Sequence, residues 1–253
     1  MTDSLKIIVY KSGSDLENGM HELLKRLAKE AIAARGKFTL GVSGGSMAKQ
    51  LTAAVPDIYP KGQEEWKKWH VFFCDERIVA FDDKESTYGD YKKNLIAKVP
   101  ELESQFVVID PSKDAENNAL HYHNQLVQRF GNAMFPIFDL LLTGMGPDGH
   151  TCSLFPGHPL LEERRKWVAA ITDSPKPPPS RITLTLPVLN HARNVAFIVA
   201  GSNKAEAVKK VLEDQEKLPS GMVQPQSNGG KLYWMLDSEA ASGLKNTRTH
   251  TEL

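Results

Sequence analysis

The chain has almost no cysteine: two in 253 residues, Cys74 and Cys152, in no Cys-x-x-Cys or Cys/His spacing. That excludes a disulfide framework and the usual zinc clusters, and it points to a reducing compartment. It has no net charge either, with 31 basic and 31 acidic residues, so no global field draws in nucleic acid or an acidic membrane. Nor is there a long hydrophobic run. The N-terminal segment MTDSLKIIVYKSGSD has a short apolar centre flanked by charge, too short for a secretory core or a membrane span. Aromatic residues are sparse, and Trp66, Trp69, Trp167 and Trp234 show neither regular spacing nor basic interleaving. They fit packing better than a nucleic-acid stacking platform. No repeat or low-complexity tract breaks the chain. The proline cluster Ser174-Pro-Lys-Pro-Pro-Pro-Ser180 reads as a stiff loop and not a linker, because sheet-like segments resume directly after it. One cytoplasmic domain over residues 1–253 is expected, monomeric, with no nucleic-acid or membrane partner.

What is present is alternation. Apolar runs at Leu5 to Tyr10, Phe38 to Val42, His70 to Phe73, Phe106 to Ile109, Phe138 to Thr143, Val195 to Ala200 and Leu232 to Leu236 read as strands. Two segments between them have helical period. Leu16, Met20, Leu23, Leu24, Leu27 and Ala31 form one stripe, and Ala115, Ala119, Tyr122, Leu126 and Phe130 form another. His121 and His123 lie on the second helix two residues apart; that spacing turns them to different faces, so a structural role is expected and not a shared metal. The pattern predicts an α/β fold, a mostly parallel open sheet with helices on both faces. Ligands of such sheets bind beyond the carboxyl ends of the strands.

Four such ends carry unusual residues. After FTLGV comes Ser43-Gly44-Gly45-Ser46, with Ser46 placed to cap a helix and two glycines that let backbone amides approach an anion. Gly41 to Gly45 also satisfies the G-x-S-x-G nucleophile elbow, which would make Ser43 a covalent catalyst. Only 42 residues precede Ser43, and no oxyanion segment of the HGGG type lies upstream. A purely structural glycine turn is the third alternative. After HVFFC comes Asp75-Glu76-Arg77, readable as solvated turn charges or as a functional cluster.

After FDLLLT comes Gly144-Met-Gly146-Pro-Asp148-Gly149-His150, formally G-x-G-x-x-G. A dinucleotide fingerprint needs a helix opening at its third glycine and an acid about 20 residues on; the TCSLFPG that follows is a poor helix start, and Val168 to Thr172 supplies no carboxylate. His150 is better read as a titratable side chain on a glycine-bent loop, with Asp148 to orient it, against the alternative of a merely loop-bonded histidine. Cys152, two residues further, is a candidate nucleophile, and Cys74 a core residue. Arg181 after the proline loop and Lys204 after VAFIVAG are either surface charge or, as a fork and a point charge, suited to a phosphate dianion.

Taken together, GVSGGS, FFCDERIVAFDDKESTYGDY, LLTGMGPDGHTCSLFPGHPLL and SPKPPPSRITLTLPVLN resemble the 6-phosphogluconolactonase family, in order and over nearly the whole chain. The resemblance implies a Rossmann-like sheet fold shared with glucosamine-6-phosphate deaminase and related sugar-phosphate isomerases. It makes His150 the general base with Asp148 its acidic neighbour. It assigns phosphate or sugar contacts to the turn Ser43, Gly44, Gly45 and Ser46 and to Arg77, Arg181 and Lys204. Asp75 corresponds to an acid that moves protons on the sugar in the deaminases. Two departures separate the chain from those deaminases, which carry DEY where this chain has Asp75-Glu76-Arg77, and a glutamate shortly after DGH where this chain has Thr151-Cys-Ser-Leu-Phe155. The expected reaction is hydrolysis of 6-phospho-D-glucono-1,5-lactone, with no metal and no cofactor.

Overall fold

All seven apolar runs become strands of one parallel sheet. The computed structural model describes residues 4–59, 62–225, 229–246 and 249. In chain order the strands of this sheet are β1 (Leu5–Tyr10), β2 (Phe38–Val42), β3 (Trp69–Phe73), β5 (Phe106–Val107), β6 (Leu140–Thr143), β9 (Asn194–Val199) and β10 (Lys231–Asp237). They lie side by side as β1-β10-β9-β6-β2-β3-β5, every pair parallel. The helices are α1 (Gly13–Arg35), α2 (Ser46–Ala54), α3 (Thr87–Tyr91), α4 (Ala115–Phe130), α5 (Leu186–His191) and α6 (Ala205–Leu212).

The two apolar stripes face inward as the periodicity predicts. Six residues of the first are buried in α1, which Ser12 caps by accepting the Asp15 N–H at 3.1 Å and which Gly36 ends in the left-handed region. In α4, Ala115, Ala119, Tyr122 and Leu126 are buried, and the Tyr122 hydroxyl meets the Phe73 N–H at 2.6 Å, tying the helix to the sheet. His121 pairs with Gln125 on the same helix and His123 packs against Trp167, so both are structural. Trp66, Trp69 and Trp234 are packing residues with almost no exposure; Trp234 stacks on Phe197 at 4.3 Å.

A second, antiparallel sheet was not legible in the apolar pattern. It comprises β4 (Asp75–Arg77), β7 (Val168–Ile171) and β8 (Arg181–Leu184), in the order β4-β8-β7. The turn reading of Asp75-Glu76-Arg77 is therefore corrected: the tripeptide is a strand. Its backbone pairs with β8, Glu76 and Arg77 are held by the segment beyond it, and Asp75 is held by Ser153. Cys74 is the hinge between the sheets, donating its N–H to Val42 in the large sheet and accepting from Leu184 in the small one. The run beginning at Phe138 also enters its strand late. There Asp139 is bonded through its carboxylate to the Thr39 N–H and hydroxyl, with Arg35 closing an ion pair at 2.8 Å.

The strand order fixes where a crevice must open. From β2 the chain builds β3 and β5 on one side, and β6, β9 and β10 on the other. The carboxyl ends of β2 and β6 flank the switch point at which an open sheet receives its ligand.

Candidate active site

Two loops leave the sheet at that switch point. The first, after β2, is Ser43 to Ser46. Gly44 lies so close to Thr87 that a methyl there would come within 2.8 Å of the Thr87 hydroxyl oxygen, and Gly45 has a φ of 69°. Gly45, and not Ser46, precedes the helix: it occupies the cap position with no side-chain bond, and Ser46 is the exposed first residue of α2. The expected serine cap is thus corrected. The left-handed turn is one only glycine adopts easily, and it brings the helix start one residue forward. The first amides of α2 are left without a side-chain acceptor, which suits an anion. Ser43 is buried at the end of β2, its Oγ facing the Cys74 thiol without a hydrogen-bond partner and its carbonyl accepting the Tyr91 hydroxyl. No imidazole is bonded to Ser43 among the described residues, so the elbow reading has no base to activate its nucleophile.

The second loop, after β6, carries the imidazole. Gly149 accepts a φ of 80°, its N–H bonds the Gly146 carbonyl at 2.9 Å, and the Gly146 N–H bonds the His150 carbonyl at 2.9 Å. An antiparallel bridge between Thr151 and Leu154 follows in place of a helix, which removes the dinucleotide reading. Folded this way, the loop sets His150 Nδ1 at 2.5 Å from Asp148 Oδ1, with the ring face against Phe155 at 4.9 Å. Gly146 is obligatory there, since a methyl would meet the imidazole at 2.0 Å. Burial lowers the His150 pKa below its ordinary 6.5, Asp148 opposing and Lys176 adding to the effect. For Asp148, burial pushes upward, but the bonds and charges of His150 and Lys176 outweigh it and hold the carboxyl down at about 2. With Nδ1 donating to Asp148, Nε2 is the free lone pair.

The remaining residues gather around this pair in two groups. Lys204, half-buried before α6, has its pKa lowered by burial and then by the charge of Lys176; Asp148 works against both. The other group lies on the small sheet. The register of β4 on β8 sets Arg77 directly opposite Arg181, so two guanidinium groups share one face. Arg77 donates to the Glu85 carbonyl at 3.0 Å, and its Nε is buried without a partner. Asp75, almost fully buried, accepts the Ser153 hydroxyl at 2.8 Å, and its charge is felt by both Arg181 and His150.

Arg181 is placed differently from a free phosphate ligand. Its fork donates to the carbonyls of Pro178 at 2.9 Å, Lys176 at 2.8 Å and Pro177 at 3.0 Å, and a fourth, longer contact reaches Ser153. Most of its donors hold the proline loop. Cys152 is buried beside Cys74 with a φ of 50°, and among the described residues it makes no hydrogen bond to His150. The Cys74 thiol is pushed well up by burial and by Cys152 beside it, so Cys74 lacks the environment of a nucleophile.

Two residues of this site were missed by the sequence reading. Lys176, inside the proline cluster, brings its ammonium to 3.2 Å from Asp148 Oδ1 and 3.1 Å from His150 Nδ1. Glu76 is fully buried and accepts the N–H groups of Arg77, Thr87 and Tyr88, pinning the start of α3 beneath the Gly44 turn. A carboxylate ahead of a helix start is a known signature, but eleven residues separate Glu76 from Thr87, so no local pattern betrays it. A cavity of about 850 Å³ lies elsewhere, lined by Ser4, Leu5, Val211, Met222, Leu232 and Trp234, and none of the candidate site residues faces it. Among the described residues, no helix is long and apolar enough to cross a membrane.

Fold and side-chain cluster together define an α/β enzyme whose candidate site lies at the carboxyl edge of a parallel sheet. The chain belongs to the glucosamine-6-phosphate isomerase/6-phosphogluconolactonase family, whose model matches residues 11–234. It is 49% identical over 238 residues to a 6-phosphogluconolactonase of Rattus norvegicus, covering 93% of this chain and 92% of that one. It is also 49% identical over 239 residues to a Homo sapiens protein of the same name, with the same coverage. Among solved structures, the 6-phosphogluconolactonase of Trypanosoma cruzi superposes with a TM-score of 0.84 at 27% identity, over 97% of this chain and 98% of that one.

Proposed function

We propose that the protein hydrolyses 6-phospho-D-glucono-1,5-lactone to 6-phospho-D-gluconate, the second step of the oxidative pentose phosphate pathway, and that His150 is the base. The observation that carries this reading is the Asp148–His150 bond at 2.5 Å, which leaves Nε2 unprotonated in a pair that Lys176 and Lys204 approach. In the proposed complex the phosphate lies on the amides at the start of α2, with Lys204 and Arg77 supplying charge. Arg181 contributes mainly by shaping the proline loop. Held by its phosphate, the substrate presents its lactone carbonyl to His150.

Neutral His150 takes a proton from water through Nε2 as the oxygen attacks C1. The resulting imidazolium, stabilised by Asp148, returns that proton to the ring oxygen as the C1–O bond breaks. One residue thus serves as base and then as acid. General base catalysis contributes ~10² to ~10⁴ in rate, enough to matter for a lactone, which is an activated ester. Asp75 is proposed to act through Ser153 and Arg181, keeping the small sheet's charges balanced beside the base.

The test is hydrolysis of freshly generated lactone, coupled to 6-phosphogluconate dehydrogenase and corrected for spontaneous opening, with wild type beside His150→Ala. Turnover in wild type that is lost in the variant is expected. Turnover retained in the variant would move the base elsewhere. Absence of turnover together with ammonia release from glucosamine 6-phosphate would replace the reaction by the other half of the family's name.

A further inference from the structure

The His150 environment contains a charge that the lactone hydrolysis scheme does not use. Lys176 sits in the loop of residues 174–180, on a different segment from Asp148 and His150, yet its ammonium lies within 3.2 Å of the one and 3.1 Å of the other. Two donors cannot bond each other. With the Nδ1 proton directed at Asp148 Oδ1 over 2.5 Å, the ammonium must direct its own proton to the same oxygen. Its approach to Nδ1 is then charge against ring, with no shared proton. A protonated imidazole would place a second full positive charge next to it.

The position of Lys176 is built, not incidental. Arg181 donates to the carbonyls of Lys176, Pro177 and Pro178, and the Ser174 hydroxyl donates to the Lys176 carbonyl at 2.8 Å while its oxygen accepts the Lys176 N–H. The buried guanidinium therefore fixes the backbone from which the ammonium projects. An exposed lysine tethered only by its own flexible stem would gain little from such a contact.

We propose that Lys176 is a positioning residue for the His150 base: its ammonium anchors the Asp148 carboxylate and keeps the imidazole uncharged, with its proton on Nδ1. The inference rests on the proposed base role of His150. The groups facing that imidazole are Asp148 from its own loop, Lys176 from the proline loop, Asp75 from β4 and the Phe155 ring; the neighbouring Gly149 is backed by Leu218, which carries no charge. Of these, Lys176 alone opposes protonation by charge, in accord with the lowered pKa of His150.

The experiment is an NMR titration of the His150 Cε1 proton in the free protein, for wild type, Lys176→Met, Lys176→Arg and Lys204→Met, paired with kcat/KM against pH. Removing the ammonium is expected to raise the His150 midpoint by on the order of one pH unit, and Lys176→Arg to restore it. The acid limb of kcat/KM should move with it, so that on that limb Lys176→Met is slower by up to about tenfold and recovers at high pH. Lys204→Met, which removes a cation not bonded to the pair, should leave the midpoint in place and raise KM instead. A midpoint that stays or falls in Lys176→Met overturns the inference. The titration needs no substrate, so it fails or succeeds independently of the lactonase reading, whose own failure would show as absent turnover in wild type.

Discussion

Gly146 offers the sharpest test of the geometry, because it bears no functional group and yet the active pair depends on its bareness. A methyl built there lies 2.0 Å from both Cε1 and Nδ1 of His150 and 2.6 Å from Asp148 Oδ1, against an ordinary contact of 3.4 Å or more. The imidazole has to withdraw by about 1.4 Å, and a 2.5 Å hydrogen bond to Asp148 cannot survive such a move. A misplacement of about 1 Å costs on the order of 10²-fold, and loss of the whole base term reaches ~10⁴, so Gly146→Ala should lower kcat/KM by ~10² to ~10⁴. Its backbone is outside the left-handed region, so alanine brings no dihedral strain. Gly144, two residues earlier on the same loop, has open space where its methyl would go and also lies outside that region. Gly144→Ala is the control. The assay is the coupled lactonase rate for both variants, with thermal melting to follow folding. A Gly146→Ala protein with kcat/KM within about threefold of wild type would refute the steric reasoning. Equal losses in the two variants would show that the whole loop was disturbed and not the pair.

The remaining predictions concern protons. Because the base must be neutral, kcat/KM should be flat above neutrality and fall only below the ordinary histidine value of 6.5, the direction set by burial of His150. Asp148→Asn removes the negative charge that favours the imidazolium. Its acid limb should therefore move to still lower pH while the plateau drops by ~10² or more through lost control of the tautomer; an acid limb moving upward would contradict the assignment. Glu76 is the stability counterpart. Burial raises its pKa from 4.5 to about 6 despite three backbone N–H donors. A group raised in the folded state contributes stability that is complete below pH 4.5 and lost as pH rises through 6, in all about 2 kcal/mol. In denaturant unfolding, the advantage of wild type over Glu76→Gln should shrink by that amount between pH 4.5 and 7.5. A constant difference would mean that the carboxyl ionises as it does in water.

The large sheet was legible because burial on both faces leaves a simple trace. Seven runs of Val, Leu, Ile and Phe, bounded by turns, are what a doubly covered parallel sheet requires, and each of the seven is a strand. The helical stripes were equally open, since a residue such as Leu23 or Tyr122 has one place to go. The small sheet was not, for the opposite reason. Asp75-Glu76-Arg77 carries three charges in three residues, and no scale of apolar periodicity marks it as a strand. Its pairing with β8 is enforced from outside, by Cys74 bridging the two sheets and by Glu76 accepting the amides at the start of α3.

The site divides along the same line. Residues at strand ends, namely the Ser43 to Ser46 turn, Asp75, Arg77, Asp148, His150 and Lys204, could be nominated because an open sheet presents its ligands there. Lys176 could not, since it lies inside a proline-rich loop and nothing in its neighbours on the chain distinguishes it from a solvated lysine. Its place beside His150 is created by Arg181, which turns its fork back onto the carbonyls of residues 176–178. An arginine nominated for the substrate's phosphate directs most of its donors to those carbonyls. That is why the motif SPKPPPSR reads as two separate charges in sequence and acts as one device in the fold: shortening the Arg181 side chain should release Lys176 from the Asp148–His150 pair, so Arg181→Ala should reproduce the upward movement of the His150 midpoint expected for Lys176→Met even though the lysine is still present.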